Sequence, residues 1–275
     1  MENLIFQYII LSDTVDGRGE IEGRKRTEVY QEMADISRRS FEIYAEKIGS
    51  DYLFSTEQVV TKGHDNPTSY LFECLRVIYD ESFDKYDKVL FLDTDIVCNT
   101  FENIFEESDA EVFGVYESDI RTDRDGGYNT WDYESKTYNN YCRKFNYHNC
   151  PIVPVLPPNH PSRITIFNTG VLVWTREARI KARKCFDDWK SWLYDTPEMH
   201  MSIVNDQPFI SSQLIKHDFD IESIDQKWND TPTHYHDIEG KGLQSNFLHY
   251  TGGNNKIVML DQYHRGLFKI FNGEL

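Results

Sequence analysis

Short apolar runs alternate with amphipathic stretches along most of the chain. Apolar runs occupy residues 4–11, 88–92 and 112–115, and few polar residues interrupt them. Runs of this kind are typical of strands buried on both faces, as in a sheet covered by helices. Between the first two runs, apolar positions recur at helical spacing over residues 27–48, and Gly49 supplies a stop signal. The pattern predicts an α/β fold with helices packed on a central sheet.

The pattern of apolar positions also predicts the remaining helices and strands. Apolar spacing and helix-start signals favour three more helices, at residues 68–79, 176–193 and 204–214. Further apolar runs predict strands at residues 52–54, 164–174, 219–221 and 247–250. The sequence shows no evident internal repeat or linker, and its 275 residues fit one large α/β domain.

Two carboxylates follow the apolar run at residues 88–92 directly, in the sequence Asp93-Thr94-Asp95. Open α/β sheets bind their ligands at the carboxyl ends of central strands, which is where this motif falls. Strand residues two apart point the same way, so both carboxylates face one site if the strand continues through Asp95. Like charges so close resist ionisation, and a divalent ion such as Mn²⁺ or Mg²⁺ removes that conflict. An ordinary polar turn at the end of a strand is the alternative interpretation.

Three other segments carry candidate binding chemistry. Ser12 and Asp13 follow the first strand and suit a nucleotide base or ribose, although an ordinary strand-to-helix loop explains them equally well. Gly170 interrupts a predicted strand, which is typical of a bulge or of close approach by a ligand. His249 is a candidate ligand for a divalent ion, and the glycine pair and Lys256 that follow it suit a phosphate.

Together these segments resemble glycosyltransferase family 8, which includes glycogenin and the lipopolysaccharide galactosyltransferases. Four signatures occur in the family's order: Lys-Val-Leu-Phe-Leu-Asp-Thr-Asp-Ile-Val at 88–97, Phe-Asn-Thr-Gly-Val-Leu-Val-Trp at 167–174, Asn-Asp-Gln-Pro-Phe at 205–209, and His249 with Gly252 and Lys256. The combination is more specific than any one part. The resemblance implies the GT-A fold, as a single Rossmann-like domain over residues 1–275 with a mostly parallel central sheet flanked by helices.

The resemblance also implies a set of site residues. Asp93, Asp95 and His249 would hold a divalent ion, Mn²⁺ or alternatively Mg²⁺, on the diphosphate of a UDP-sugar. Asp206 and Gln207 would be the catalytic residues beside the donor sugar. The residues implied to bind the donor are Leu11, Ser12, Asp13, Arg76, Thr94, Asn168, Gly252 and Lys256.

The reaction implied by the resemblance is transfer of a hexose with retention of anomeric configuration. UDP-glucose or UDP-galactose would be the donor, a hydroxyl of a carbohydrate or another molecule the acceptor, and donor hydrolysis a side reaction. The sequence departs from the family at its last motif, because Lys256 lies four positions after Gly252 instead of the usual three. Either that loop is one residue longer, or Gly253 takes the role of the glycine.

The charge balance limits the partners of the protein. Asp and Glu number 46 against 29 Lys and Arg, which gives a formal net charge of −17. This charge argues against nucleic acid and against docking on anionic lipid. The apolar runs are shorter than the roughly 20 residues of a membrane span, and the first residues show no signal-peptide pattern. Five scattered cysteines fit a reducing compartment, so we expect a cytoplasmic protein.

Residues 117–163 form the longest stretch without a clear pattern. The stretch is rich in Tyr, Asn, Asp and Gly, and aromatic faces bind sugar rings, so we interpret it as an insertion on the acceptor side. Cys142, His148 and Cys150 within it raise the alternative of a zinc site, for which a fourth ligand is not evident.

Two other classes of protein share part of this pattern. Phosphatases of the haloacid dehalogenase type carry Asp-X-Asp after an apolar strand, which would make Asp93 a nucleophile. That motif normally lies on the first strand, and it leaves the segment around His249 unexplained. A non-catalytic carbohydrate-binding protein derived from a transferase is the other alternative, although the three implied metal ligands, Asp206 and Gln207 are all present.

Overall fold

The computed structural model describes residues 2–11, 20–21, 23–64, 67–116, 167–194, 206–232 and 243–275. The strands of these residues are β1 (Asn3–Tyr8), β2 (Glu20–Ile21), β3 (Arg24–Lys25), β4 (Asp51–Ser55), β5 (Lys88–Leu92), β6 (Ile96–Cys98), β7 (Val112–Tyr116), β8 (Phe167–Thr175), β9 (Ile221–Ser223) and β10 (Phe247–His249). The helices are α1 (Arg26–Ile48), α2 (Pro67–Tyr70), α3 (Arg76–Tyr79), α4 (Arg176–Cys185), α5 (Trp189–Tyr194), α6 (Asp206–Lys216), α7 (Gly253–His264) and α8 (Lys269–Asn272).

Six of the described strands form the central sheet, in the order β4-β1-β5-β8-β7-β9. β1 pairs in parallel with both β4 and β5, and β7 pairs in parallel with β9. β8 is antiparallel to its neighbours β5 and β7, so five of the six strands point the same way. The predicted mostly parallel sheet flanked by helices is therefore confirmed.

Helices cover both faces of this sheet. On one face, Leu90 of β5 belongs to a buried cluster with Phe41 of α1. On the other face, Phe91 of β5 belongs to a second buried cluster with Trp192 of α5 and Phe209 of α6. Successive residues of β5 thus point into opposite cores, which explains why the strand is apolar at every position after Lys88.

The strand that precedes the two carboxylates does not continue through them. β5 ends at Leu92, residues 93–95 turn, and the chain resumes as β6. β6 leaves the central sheet and pairs antiparallel with β10, which sets Ile96 opposite His249. The sequence did not predict β6, because so short a strand depends on a partner much later in the chain.

The helix predicted at residues 68–79 is interrupted. A 3-10 turn at Leu71–Leu75 separates α2 from α3. Glu73 lies fully buried in this turn, where its carboxylate accepts hydrogen bonds from the backbone N–H groups of Val59, Val60 and Thr61. The turn therefore anchors the loop that follows β4, a tertiary role that helical periodicity does not report.

Replacing Glu73 with glutamine is expected to lower the free energy of unfolding by about 2–3 kcal/mol. Glutamine keeps the size of the side chain, but its NH₂ group would face backbone N–H groups that also donate. Urea denaturation of the variant measures the loss. Glu42→Gln, on the exposed face of α1, is the control and is expected to change stability by less than about 0.5 kcal/mol. Equal stability of the two variants would contradict this role.

Other elements also differ from the prediction. Phe186 has an extended backbone and divides the helix predicted at residues 176–193 into α4 and α5. The first strand ends at Tyr8 instead of Leu11. α7 was not predicted, because the Gly-Asn-Asn sequence at residues 253–255 has low helix propensity. Within the described part of the chain, no helix combines the length and the apolar composition needed to cross a membrane.

Candidate active site

Segments that are distant in sequence meet at one edge of the central sheet. Because β8 runs antiparallel to β5, β8 begins where β5 ends. Thr169 and Gly170 therefore lie beside the turn at Asp93, whose backbone N–H donates to Gly170 O at 2.9 Å. The start of α6 reaches the same place, where the Thr169 hydroxyl donates to Asp206 Oδ2 at 2.6 Å. Most strands of the sheet end at this edge, where open α/β sheets bind their ligands.

Hydrogen bonds to the main chain hold the turn that carries Asp93 and Asp95. The side-chain amide of Gln7 donates to Asp93 O at 2.9 Å, and the N–H of Tyr250 donates to Asp95 O at 2.8 Å. Gln7 is fully buried, and its Oε1 accepts from the Tyr52 hydroxyl at 2.7 Å. The turn thus brings both carboxylates to one site although the strand does not continue through Asp95.

His249 joins the two carboxylates because β10 pairs with β6 directly after the turn. Its Nε2 lies 3.2 Å from Asp95 Oδ1 and 3.8 Å from Asp93 Oδ2. The candidate ligand atoms of the three residues all lie within 4.8 Å of one another. His249 is buried, whereas the side chain of Asp93 is 45% exposed. These three side chains could hold a metal ion, and we call them the metal-ligand cluster. The cluster is open on the side of Asp93.

The charged groups of this metal-ligand cluster lie close enough to change one another's pKa. Lys256, in α7, places Nζ 2.6 Å from Asp95 Oδ2. Burial alone would raise the pKa of Asp95, but the charges of Lys256 and His249 outweigh burial and hold it far below its usual range. Although the Asp93 side chain is partly exposed, the surrounding protein removes much of the water that would solvate its carboxylate. This desolvation and the charge of Asp95 raise the pKa of Asp93 well above its usual range. A further cation beside Asp93 would favour its ionised form.

The residues of the cluster fit a hard divalent ion. Carboxylate oxygens suit Mn²⁺ and Mg²⁺, and a neutral imidazole nitrogen is a common ligand for divalent metals. β8 closes one side of the cluster so tightly that a side chain would not fit at Gly170. A Cβ there would lie 2.4 Å from His249 Cε1 and 3.0 Å from Asp93 Oδ2.

A cavity opens beside the cluster, near the end of β1 and the start of α1. Asp93, Thr94, Asp95 and Lys256 line one part of it. The rest of its lining is aromatic and apolar apart from one threonine: Tyr8, Ile9, Ile10, Leu11, Thr27, Tyr30, Met33, Tyr70 and Leu71. Such a cavity suits a ligand with a flat ring at one end and negative charge at the other.

The cavity contains residues that sequence reasoning missed. Tyr30 and Met33 belong to α1, which was predicted only as a helix packed on the central sheet. Tyr70 lies in α2, within the helix predicted at residues 68–79, where Arg76 was the only residue predicted to belong to the site. Helical periodicity identifies the inner face of a helix, but it does not distinguish a core from the wall of a cavity.

Asp206 lies at the first position of α6, beside the metal-ligand cluster. The Thr169 hydroxyl and the more distant Cys74 thiol, at 3.8 Å, both approach its Oδ2. Burial raises the pKa of Asp206. Gln207 follows it in the same turn and is half-buried. Asp206 is therefore held in one orientation by its neighbours.

Arg76 and Gly252 were also predicted to bind the donor, and these two roles stay predictions. Arg76 pairs with Asp80 at 2.9 Å and donates to Ser55 Oγ at 3.0 Å, and among the described residues neither partner belongs to the metal-ligand cluster. Gly252 precedes α7 with a φ of +84°, a conformation that side chains disfavour. Lys256 lies within α7, so the segment predicted as a phosphate-binding loop is the start of a helix.

Several predictions concern residues outside the described ranges. They are Ser12 and Asp13 of the donor site, the candidate zinc ligands Cys142, His148 and Cys150, and the insertion at 117–163. Leu11, Thr94 and Lys256 line the cavity, and Asn168 lies at the start of β8. The roles of these residues stay predictions.

Comparisons with known proteins identify the class and the family. A solved glycosyltransferase involved in the glycosylation of the major capsid of PBCV-1 shares the fold, with a TM-score of 0.52 and 12% identity over 97% of this chain and 100% of that chain. Mouse xyloside xylosyltransferase 1 has a TM-score of 0.44 and 14% identity over 93% of this chain and 98% of that chain. A comparison with curated protein sequences found no significant match.

The fold is that of the GT-A glycosyltransferases. The sequence model that describes glycosyl transferase family 8 matches residues 26–256, which is most of the chain. The chain therefore belongs to glycosyltransferase family 8 and is a glycosyltransferase.

Proposed function

We propose that the protein is a metal-dependent, retaining glycosyltransferase that moves a hexose from a UDP-sugar, UDP-glucose or UDP-galactose, to an acceptor hydroxyl. The observation that carries the proposal is the convergence of Asp93, Asp95 and His249 beside a cavity that Lys256 also lines. Membership of the family supports sugar transfer. The metal-ligand cluster supports the proposed metal dependence, and the cavity beside it supports the proposed binding of a nucleotide.

Asp93, Asp95 and His249 would hold Mn²⁺, with Mg²⁺ as the alternative. Bound there, the ion would act as a Lewis acid on the diphosphate of the donor. Lys256 would add a positive charge next to the diphosphate, and the N-terminal backbone of α7 after Gly252 also favours an anion. The charge that develops on the leaving diphosphate would thus meet groups that are already oriented.

Asp206 and Gln207 would act on the donor sugar. Positive charge develops on the sugar as its C1–oxygen bond to the phosphate breaks. The Asp206 carboxylate, oriented by Thr169, and the amide oxygen of Gln207 would stabilise that charge. Asn168, at the start of β8, would contact the hydroxyls of the sugar.

The anomeric configuration of the sugar is retained if the acceptor hydroxyl attacks C1 from the face of the sugar that the diphosphate leaves. The new C1–O bond then forms as the old one breaks, and the proton of the hydroxyl passes to the departing phosphate oxygen. Donor hydrolysis results when water takes the place of the acceptor. Residues 117–163 would shape the acceptor side, and the chain would act as a single domain in the cytoplasm.

A panel of nucleotides and nucleotide sugars, each with and without Mn²⁺, tests this function by thermal unfolding. Ligand at a hundred times its dissociation constant stabilises a folded protein by about 2.7 kcal/mol, which raises the melting temperature by several degrees. We expect one UDP-sugar to give such a shift with Mn²⁺ and a much smaller one without it. A response to Mg²⁺ with a phosphate mimic, and to no nucleotide, would instead favour the phosphatase interpretation.

The transferase proposal replaces both earlier alternatives. A phosphatase with Asp93 as nucleophile gives no role to His249, whose Nε2 faces both carboxylates. A non-catalytic binding protein would not need a cluster of three ligands next to an oriented Asp206. The family match favours the transferase in each case.

A further inference from the structure

A chain of buried amide side chains lies behind His249. Asn229 is fully buried and follows the 3-10 turn at Gln226–Trp228. Its Oδ1 lies 2.8 Å from His249 Nδ1, and its Nδ2 donates to Asn168 Oδ1 at 3.0 Å. Asn168 Oδ1 also accepts from the backbone N–H of Gly170 at 3.1 Å. Hydrogen bonds therefore connect β8 with the side of the imidazole that faces away from the carboxylates.

The backbone N–H of Gly170 determines the direction of every hydrogen bond in this chain. A backbone N–H only donates, so the Asn168 atom that faces it is the carbonyl oxygen. That oxygen requires the amide nitrogen of Asn229, which turns the Asn229 oxygen toward His249. An amide oxygen only accepts, so His249 Nδ1 carries a proton. The neutral imidazole then has its lone pair on Nε2, the atom that faces Asp93 and Asp95.

The position of Asn229 relative to His249 is set by the main chain and the core. The N–H of His249 donates to Asp230 O at 2.7 Å, and the N–H of Asp230 donates to Phe247 O at 3.0 Å. Trp228 is fully buried and packs edge-on against Phe247, with 5.0 Å between ring centroids. The acceptor for His249 Nδ1 is thus preorganised before any ligand binds.

We propose that Asn229 is a positioning residue that holds His249 in the Nδ1-protonated tautomer and thereby sets the metal affinity of the cluster. The proposal rests on the metal-dependent function proposed above. Histidine coordinates a metal through Nε2 only when that nitrogen carries no proton. Residues that orient a metal-binding histidine from behind commonly change metal affinity by about 10- to 100-fold when they are replaced.

Asn229→Leu tests the proposal, because leucine is similar in size and lacks both hydrogen bonds. ¹⁵N NMR of the histidine side chains reports the tautomer in the metal-free protein at alkaline pH, where the imidazole is neutral. We expect the wild type to show the Nδ1-protonated form and the variant to lose that preference. Mn²⁺ affinity, measured from the EPR signal of the free ion, is expected to fall about 10- to 100-fold.

Asn99→Leu is the matched control. Asn99 is also buried, and it makes two hydrogen bonds, from its Nδ2 to Leu243 O and to its Oδ1 from the Lys269 N–H. We expect this variant to lose stability but to keep the tautomer of His249 and the Mn²⁺ affinity. An equal loss of affinity in both leucine variants would overturn the proposal, because it would reflect only a weakened fold.

Asn229→Asp is the conservative variant that is expected to restore the Nδ1-protonated tautomer of His249. Its carboxylate still accepts from His249 Nδ1, so the tautomer is expected to be retained, and this variant decides the case if Asn229→Leu does not fold. Aspartate loses the hydrogen bond to Asn168 Oδ1, so we expect this variant to be less stable than the wild type. Loss of the tautomer in Asn229→Asp, or wild-type tautomer and affinity in Asn229→Leu, would overturn the proposal. The tautomer is measured without metal. Failure of the wild type to bind Mn²⁺ would therefore contradict the proposed function, while the NMR result would still test the role of Asn229.

Discussion

Replacing Asp95 with asparagine is expected to lower the rate of sugar transfer about a thousandfold, which corresponds to about 4 kcal/mol of lost transition-state stabilisation. Asp95 is the centre of the metal-ligand cluster, 3.2 Å from His249 Nε2 and 2.6 Å from Lys256 Nζ. Asparagine keeps the shape of the side chain but removes the charge that attracts a divalent ion. The rate is measured as UDP release from the donor that the thermal panel identifies.

Asp84→Asn provides the control for this substitution. Asp84 is likewise paired with a basic side chain, since it accepts hydrogen bonds of 2.9 and 2.7 Å from Arg183. Neither of these two residues lines the cavity or belongs to the metal-ligand cluster. We expect this variant to transfer sugar at the wild-type rate and to keep the Mn²⁺-dependent rise in melting temperature. Asp95→Asn should lose that rise. A wild-type rate in Asp95→Asn would show that the cluster takes no part in catalysis.

Gly170→Ala is expected to reduce activity about a hundredfold, because its Cβ cannot be accommodated without moving His249. The added carbon would lie 2.4 Å from His249 Cε1, and 3.0 Å from both Asp93 Oδ2 and Asn168 Oδ1. We expect overpacking to cost about 1–3 kcal/mol of stability as well. Mn²⁺ affinity and UDP release measure the effect on the site, and urea denaturation measures the effect on the fold.

Gly114→Ala separates these two effects. A Cβ at Gly114, in β7, would lie 2.4 Å from Val171 O and 2.9 Å from Leu172 Cδ2, so the strain is similar. These neighbours belong to β8 but not to the metal-ligand cluster. The variant is expected to be less stable and to bind Mn²⁺ as the wild type does. Unchanged Mn²⁺ affinity in Gly170→Ala would mean that the cluster tolerates a displaced His249.

The local pattern of apolar and polar residues was sufficient to predict elements that form the core. The spacing in residues 27–48 predicted α1, which runs from Arg26 to Ile48, and the apolar run at 88–92 coincides with β5. Both elements are long enough, or apolar enough, for their burial to be visible in the sequence. β6 and α7 were missed, because a three-residue strand and a helix that starts with Gly-Asn-Asn lack such a signal.

The candidate site required more than local pattern. Family resemblance was needed to group His249 with Asp93 and Asp95, since neither residue type nor spacing connects it with these two carboxylates. The structure brings them together through two features of topology, the reversed direction of β8 and the pairing of β6 with β10. Tyr30 and Tyr70 line the cavity because the start of α1 and the end of α2 lie at the same edge of the sheet.

The sequence by itself determined the α/β class, the two carboxylates at the end of a buried strand, and the chemical types of the candidate ligands. Only the tertiary structure decided which nitrogen of His249 faces those carboxylates. That choice depends on Gly170, Asn168 and Asn229, which the fold brings together from two distant segments. Hydrogen-bond direction is a property of atoms in contact, and the contacts exist only after the chain has folded.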